Sequence, residues 1–282
     1  MANRIVARGR PLRGKTGATA AAVALFLVLP LLAGAQDYEA GPGTEAAPAG
    51  NLPPNAALQR SEEERVAESV AAFLRAARAV IASNQDIINE PTARDKGLTG
   101  EAVVRQVVET YRETTGVDPL STDPASLEGR LLRAQMAAVE EVMNENQATI
   151  NNPSLGFKGF VPAVFARLVN ERFMAKVGDE AEVKVTAPAV LVRNRKALPD
   201  DWETAVIETR LLSSEWPEGQ PFAEWTERNG RRAYRVIVPE YYSEGCLSCH
   251  GEPSGEMDIT GYPKEGGKLG DLGGAISITL FR

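Results

Sequence analysis

The chain has 282 residues, of which 43% are apolar and 24% are charged, and its formal net charge is −7. This composition is that of a globular protein, and it excludes collagen-like, wholly disordered and multi-span membrane proteins. The acidic balance argues against a nucleic-acid partner, because nucleic-acid binding depends on a basic surface. Two cysteines and one histidine are the scarcest chemically versatile residues of the sequence.

The first 35 residues have the order of a cleavable export signal. An apolar run over 18–32 leads to the small residues Ala33-Gly34-Ala35. A basic segment without acidic residues precedes that run and contains Arg4, Arg8, Arg10, Arg13 and Lys15. We predict a signal peptide over 1–35, cleavage after Ala35, and a periplasmic or otherwise exported protein with a formal charge of −12.

An uncleaved membrane anchor is the less favoured alternative for this segment. The apolar run is short for a membrane span and contains Pro30. No later segment is apolar for long enough to cross a bilayer, so no membrane span is expected after signal cleavage.

The remaining chain divides into a linker and one domain. Residues 36–60 are rich in Ala, Gly, Pro and Asn, and they are predicted to be a flexible linker because this composition cannot bury a core. Residues 61–282 are predicted to form a single domain, with a helical part over 61–177 and a sheet part over 178–282.

Apolar residues recur at helical spacing in the first part of this domain. The pattern predicts helices over 61–89, 99–115, 123–147 and 160–174. Ser61 and Glu64 have the spacing of a capping box, and Pro91 is expected to end the first helix. Asp123-Pro124 is typical of an N-cap followed by proline at the first helical position.

After Gly178 the period changes to that of a strand, since Val183 and Val185 alternate with polar residues, as do Ile276, Ile278 and Leu280. Strands are predicted around Val183 and over 189–193, within 204–212, at 225–227, 231–238 and 275–281. Asn229-Gly230 favours a type I′ hairpin between two of them. Helices that precede hairpin-linked strands predict an α+β fold with an antiparallel sheet.

Both cysteines and the only histidine stand together in Cys246-Leu247-Ser248-Cys249-His250. The pattern C-x-x-C-H is the motif of covalent c-type haem attachment. Two thiols on one turn of chain can reach the two vinyl groups, and the imidazole that follows then lies beneath the macrocycle within reach of the iron. The sequence therefore predicts one haem c per chain, bound through Cys246 and Cys249, with His250 as the metal ligand.

Three other interpretations of the motif are weaker. A disulfide between Cys246 and Cys249 would close a very short, strained loop. A redox C-x-x-C normally precedes a helix in a βαβ context, whereas loop-forming glycines and prolines follow His250. A zinc site needs a fourth ligand, and the chain has no further Cys or His.

The sixth iron position has no histidine or cysteine left to fill it. The candidates are a lysine, a tyrosine, no residue at all, or one of the methionines Met136, Met143, Met174 and Met257. Met136 and Met143 lie seven apart on an apolar helix face and are expected to fill the core. Met257 follows His250 too closely for its loop to reach the opposite face of the macrocycle.

The stretch 261–277 is dense in glycine and leads into the last predicted strand. Close approach of the backbone to a flat cofactor is one reason for so many glycines, and a simple loop is the other. The haem propionates need water or cations. Our candidates are Lys264, Lys268, Arg193 and Arg195, each of which has a solvated surface position as its alternative role.

Three motifs together resemble one known family. They are Cys246-Leu-Ser-Cys-His250, then Gly261-Tyr-Pro-Lys-Glu-Gly, and then Gly270-Asp-Leu-Gly-Gly-Ala-Ile-Ser277. They are similar to the bacterial c-type haem domain family of formerly unknown function, and residues 160–167 and 199–203 also match its pattern. Members of that family have a PAS-like fold and often stand in front of histidine kinases or chemoreceptors.

The resemblance implies a haem-binding sensory or redox domain in which Cys246, Cys249 and His250 hold the haem. Some members use a cysteine thiolate from the helical part as the second axial ligand, and this chain has no such cysteine. The chain also lacks a kinase or methyl-accepting segment after the domain, so a sensor of this kind is expected to signal through a protein partner.

Two functional classes follow from these observations. The first is a sensory module whose iron binds a diatomic gas or changes its redox state. The alternative is a soluble periplasmic cytochrome that transfers electrons to a redox partner. An exchangeable sixth position favours the first, and a strong protein ligand favours the second. A haem peroxidase is disfavoured, because its chemistry needs a distal acid–base histidine and His250 is the only one.

Overall fold

A computed structural model describes residues 61–282. The signal peptide predicted over 1–35 and the linker predicted over 36–60 lie outside these residues. The helices are α1 (Glu62–Ser83), α2 (Gln85–Asn89), α3 (Gly100–Thr115), α4 (Leu127–Glu145), α5 (Gln147–Ile150), α6 (Pro162–Val177), α7 (Asp201–Val206) and α8 (Glu244–His250). The strands are β1 (Ala181–Thr186), β2 (Phe222–Arg228), β3 (Arg231–Tyr241) and β4 (Leu272–Phe281). The α+β fold class is therefore confirmed.

The four strands form one antiparallel sheet in the order β1-β4-β3-β2. The predicted hairpin joins β2 to β3, and Asn229 and Gly230 have φ angles of 55° and 74°. Positive φ at both central residues is what a type I′ turn requires, so the Asn-Gly signal is confirmed. The last strand, β4, follows the C-x-x-C-H motif in sequence but pairs centrally between β1 and β3.

Helices α1, α3, α4 and α6 pack together and against one face of the sheet. The capping box of α1 is present, because Ser61 Oγ accepts from the backbone N–H of Glu64 at 3.1 Å and Glu64 Oε2 accepts from Ser61 N at 2.9 Å. Met136 and Met143 are buried in this core, as their helical spacing predicts.

The helix boundaries differ from the predicted ones in several places. The helix predicted over 123–147 breaks at Asn146, and the one predicted over 160–174 is Pro162–Val177. The first predicted helix is broken at Asn84, whose side-chain amide donates to the carbonyl of Val80 at 2.7 Å. The N-cap of α4 is Ser126, not Asp123, because the Ser126 hydroxyl accepts from Gly129 N at 3.0 Å. Asp123 and Pro124 lie in the turn before it.

Two predicted strands are wrong. Residues 189–193 contain a 3₁₀ turn over Ala189–Leu191, and none of the apolar residues in this turn is buried. Residues 204–212 continue α7 and then form a π-helical turn over Ile207–Leu211. The missed signal is a capping box at Asp200 and Glu203, which starts α7 although β-branched residues follow.

Helix α7 and the π-helical turn cover the second face of the sheet. Their apolar residues pack against Ile237 of β3 and Ala275 of β4. Beside this cluster, buried Glu203 accepts from Lys184 Nζ at 2.5 Å, and Asp200 accepts from Arg235 at 2.7 Å. Both faces of the central strands β3 and β4 are therefore covered by protein over most of their length. Within residues 61–282, no helix has the length and apolar character needed to cross a membrane.

Candidate functional site

Helix α8 carries both cysteines and the histidine on two turns, directly after β3. Cys246 and Cys249 are free thiols of intermediate exposure. The sulfur of Cys246 lies 3.3 Å from the hydroxyl oxygen of Ser243, which precedes the helix. The disulfide interpretation of the motif therefore has no support in the structure, and both thiols are available to react.

The imidazole of His250 is fixed on two sides. Its Nδ1 atom lies 2.8 Å from Oε2 of Glu265, and its ring stacks on Tyr242 with centroids 5.2 Å apart and planes inclined by 19°. A carboxylate can only accept, so Nδ1 is the donor of this hydrogen bond. In the neutral imidazole the lone pair then stands on Nε2, which is the atom available to a metal.

Glu265 is itself held by Arg193. The Nε and Nη2 atoms of the guanidinium donate to its two carboxylate oxygens at 2.7 and 3.0 Å. Burial raises the pKa of Glu265, but the hydrogen bonds from Arg193 and His250 outweigh this effect and the net direction is down. The carboxylate that faces His250 is therefore ionised at neutral pH.

Arg193 also joins this pair to the rest of the site. Its Nη1 atom donates to Asp258 Oδ2 at 2.6 Å, and its Nη2 atom donates to the carbonyl oxygen of Cys249 at 2.8 Å. A cation is favourable there because the carbonyls at a helix C-terminus carry partial negative charge. One side chain thus ties the segment after β1 to α8 and to the loop that follows it.

Asp258 is the most enclosed carboxylate of this loop, with a fully buried side chain. Besides Arg193, it accepts from the hydroxyl and the backbone N–H of Thr260 and from the backbone N–H of Tyr262. Burial raises the pKa of Asp258, but these hydrogen bonds lower it by more, and the net direction is strongly down.

The glycine-dense stretch fits around an aromatic ring of the protein. A Cβ atom built on Gly267 or Gly273 would meet opposite edges of the Tyr242 ring, at 2.7 Å from Cδ2 and 2.5 Å from Cδ1 respectively. The same ring stacks on His250. At these two positions the backbone approaches Tyr242, whereas the sequence suggested a flat cofactor or a simple loop.

Within residues 61–282, the buried hydroxyl group of Tyr242 has no hydrogen-bond partner. Burial raises the pKa of Tyr242 to about 12. Such an unpaired group is rare in folded proteins, and one explanation is a partner that binds at the site.

Large apolar side chains are exposed on the segments that Arg193 joins. Val190, in the segment before Arg193, is 90% exposed. In the loop after α8 the exposed apolar residues are Met257, Ile259, Tyr262 and Leu269. Exposed apolar side chains close to candidate binding residues such as His250 are typical of a surface that a second molecule covers.

The four predicted propionate cations have different surroundings. Arg193 is engaged by carboxylates, and Lys264 pairs with Glu256 at 2.9 Å. Lys268 and Arg195 are exposed, and their side chains form no ion pair within residues 61–282. The pairing of any of these cations with propionates stays a prediction.

Sequence reasoning did not assign a role to Glu265, Asp258 or Tyr242. Glu265 lies inside the motif Gly261-Tyr-Pro-Lys-Glu-Gly, which we used only as a family signature. Its contact with His250 spans fifteen residues of loop. No local sequence pattern predicts the contact between Glu265 and His250.

A comparison with models of known protein families identifies the family of this chain. The chain belongs to the Tll0287-like family. The model of that family matches residues 56–280, which is most of the chain. It is a bacterial family of cytochrome c-like domains. Neither a curated protein nor a solved structure matches the chain in the corresponding comparisons.

The residues present fit a covalently held haem better than a bare metal ion. Within the described part of the chain, no group of three or more His, Cys, Asp or Glu side chains could hold a metal ion. A haem iron needs only one or two protein ligands, since the macrocycle supplies four nitrogens. The available Nε2 atom of His250 meets that requirement, and the two free thiols beside it could attach the macrocycle.

Proposed function

We propose that this chain is an exported c-type haem protein that acts as a sensory or ligand-binding module for a diatomic gas or a redox signal. Cys246 and Cys249 would carry the thioether bonds, and Nε2 of His250 would bind the iron. The observation that carries the proposal is the arrangement on α8, where both thiols are free and Glu265 holds Nδ1. When bound, the haem supplies an iron that changes oxidation state or takes a gas ligand.

A sensory role is supported by the positions of the four methionines within residues 61–282, none of which is an evident sixth ligand. Met136 and Met143 lie in the helical core, and Met174 packs against it. These three methionines are occupied by packing, and Met257 is tied to the short loop after α8. Electron transfer is the alternative, and it requires a strong protein ligand at this position.

The fold and the N-terminus support two further parts of the proposal. A four-stranded antiparallel sheet with helices on both faces is compatible with the PAS-like fold that the family resemblance implies. The order of residues 1–35 supports export to the periplasm, where covalent attachment keeps the haem on the protein. A protein partner would then receive the signal.

The haem propionates are proposed to pair with Lys268 and Arg195 first. These two side chains are exposed and free of ion pairs within residues 61–282. Arg193 and Lys264 would have to exchange a carboxylate partner for a propionate.

Covalent attachment is tested by the mass of the denatured chain. The exported protein should keep one haem after acid treatment and solvent extraction. The double variant Cys246→Ser, Cys249→Ser should lose it, whereas Ser248→Ala, which keeps both thiols, should retain it. Extraction of all haem from the unaltered protein would refute the proposal.

The sensory role is tested by the absorption spectrum of the reduced protein. Carbon monoxide should bind readily and shift the Soret band. A six-coordinate, low-spin spectrum that carbon monoxide leaves unchanged would assign the protein to electron transfer instead.

A further inference from the structure

Glu265 makes the one side-chain hydrogen bond that His250 forms within residues 61–282. The Oε2 atom that accepts from His250 also accepts from Nη2 of Arg193 at 3.0 Å, while Oε1 accepts from Nε at 2.7 Å. The side chain of Glu265 is only 16% exposed, so bulk water screens these contacts weakly.

The geometry points to Glu265 as a positioning residue that sets the electron donation of His250, and to Arg193 as the residue that moderates it. This inference rests on the proposed function, since it assumes that His250 binds the haem iron. A carboxylate that accepts from Nδ1–H raises the basicity of the imidazole as a ligand. A more basic ligand and a nearby negative charge both stabilise ferric over ferrous iron, which lowers the reduction potential.

Arg193 opposes this effect by sharing the carboxylate. Its guanidinium binds both oxygens of Glu265, which draws negative charge away from the hydrogen bond to His250. The charge of Arg193 is in turn shared with Asp258, at 2.6 Å. Asp258 and Arg193 together therefore determine how much of the negative charge of Glu265 acts on the imidazole of His250.

A purely structural role is the competing explanation, because the same contacts also fasten the loop to α8. Such a role predicts a loss of stability without a directed change in the properties of the iron. The two explanations therefore differ in the reduction potential and in the iron–histidine stretching frequency.

The test compares three single variants of the exported, haem-bearing protein. Glu265→Gln keeps an acceptor for Nδ1–H and removes the charge. Arg193→Gln removes the moderating cation and leaves Glu265. Glu256→Gln is the matched control, since it removes the same charge from the same loop at a carboxylate that pairs with Lys264 and is 54% exposed.

We expect Glu265→Gln to raise the reduction potential and lower the iron–histidine stretching frequency, with Arg193→Gln changing both in the opposite direction. Glu256→Gln should leave both near the values of the unaltered protein. Shifts of the same sign in the first two variants would overturn the inference, and so would unchanged values in a folded Glu265→Gln protein. If Glu265→Gln does not fold, the reduction potential of Arg193→Gln tests the inference. A lower potential supports it, and a higher or unchanged potential overturns it.

Separate measurements test the role of Glu265 and the proposed function. The covalent haem content of the unaltered protein tests the proposed function. A protein with covalent haem whose potential ignores Glu265 refutes only the role of Glu265. An unaltered protein without covalent haem refutes both.

Discussion

Gly273 lies so close to Tyr242 that a Cβ atom on the glycine would stand 2.5 Å from Cδ1 of the aromatic ring. The ring cannot retreat easily, because Gly267 borders its opposite edge and His250 stacks on it. Gly267 and Gly273 thus set the position of the ring on which His250, the histidine of the C-x-x-C-H motif, stacks.

Gly273→Ala should therefore destabilise the protein. We expect the free energy of unfolding to fall by about 1–3 kcal/mol, which is the usual cost of overpacking. Denaturant unfolding measures the change. Gly156→Ala is the control, since nothing lies within 4 Å of its Cβ position, and its effect should stay within about 0.5 kcal/mol. Equal effects of the two variants would contradict the packing argument.

Tyr242→Phe should leave stability unchanged or raise it by about 1 kcal/mol, because the buried hydroxyl has no hydrogen-bond partner in the structure. The haem-free chain, made as the double serine variant of the two cysteines, is the background for this measurement by thermal or denaturant unfolding. Tyr242→Leu should be destabilising in the same background, since it removes the stack on His250. A clear loss of stability in Tyr242→Phe would show that the hydroxyl is bonded.

Asp258 should make the protein sensitive to acid. Although burial by itself raises its pKa, hydrogen bonds from Thr260 and Arg193 bring the net direction in the folded protein strongly down. The unfolded chain then takes up the proton first, so this contribution is present above about pH 4 and is lost as the pH falls further. Denaturant midpoints measured at a series of pH values should decline in acid.

Asp258→Asn is the variant that isolates this carboxylate. Its unfolding free energy at neutral pH should be lower by about 3 kcal/mol, because Arg193 loses a buried partner. Its stability should also decline less steeply in acid than that of the unaltered protein. Parallel pH profiles for the two proteins would count against the assignment.

Arg193→Lys should not replace arginine, although it preserves the charge. A lysine cannot span Glu265, Asp258 and the carbonyl of Cys249 at once, so we expect a loss of about 2 kcal/mol in unfolding free energy. Arg195→Lys is the matched control, because Arg195 is exposed, and its effect should be within about 0.5 kcal/mol. An unchanged unfolding free energy in Arg193→Lys would mean that the contacts of the arginine side chain are not needed for stability.

The sequence by itself determined the features that depend on neighbouring residues. The capping box at Ser61, the hairpin at Asn229-Gly230 and the C-x-x-C-H motif each require only a few consecutive positions, because local hydrogen bonds and backbone angles define them. The helical period also located most of α1, α3, α4 and α6, since one face of each helix is buried.

The tertiary structure decided which apolar segment is not a strand and which distant residues support the site. Residues 189–192 form an apolar run that resembles a strand, yet Val190 faces solvent and Arg193 binds Glu265, 72 positions away in sequence. Glu265 reaches His250 only because the loop folds back around Tyr242. Such contacts form only when a loop closes and several elements together bury the side chains. The spacing of residues in the sequence therefore does not predict them.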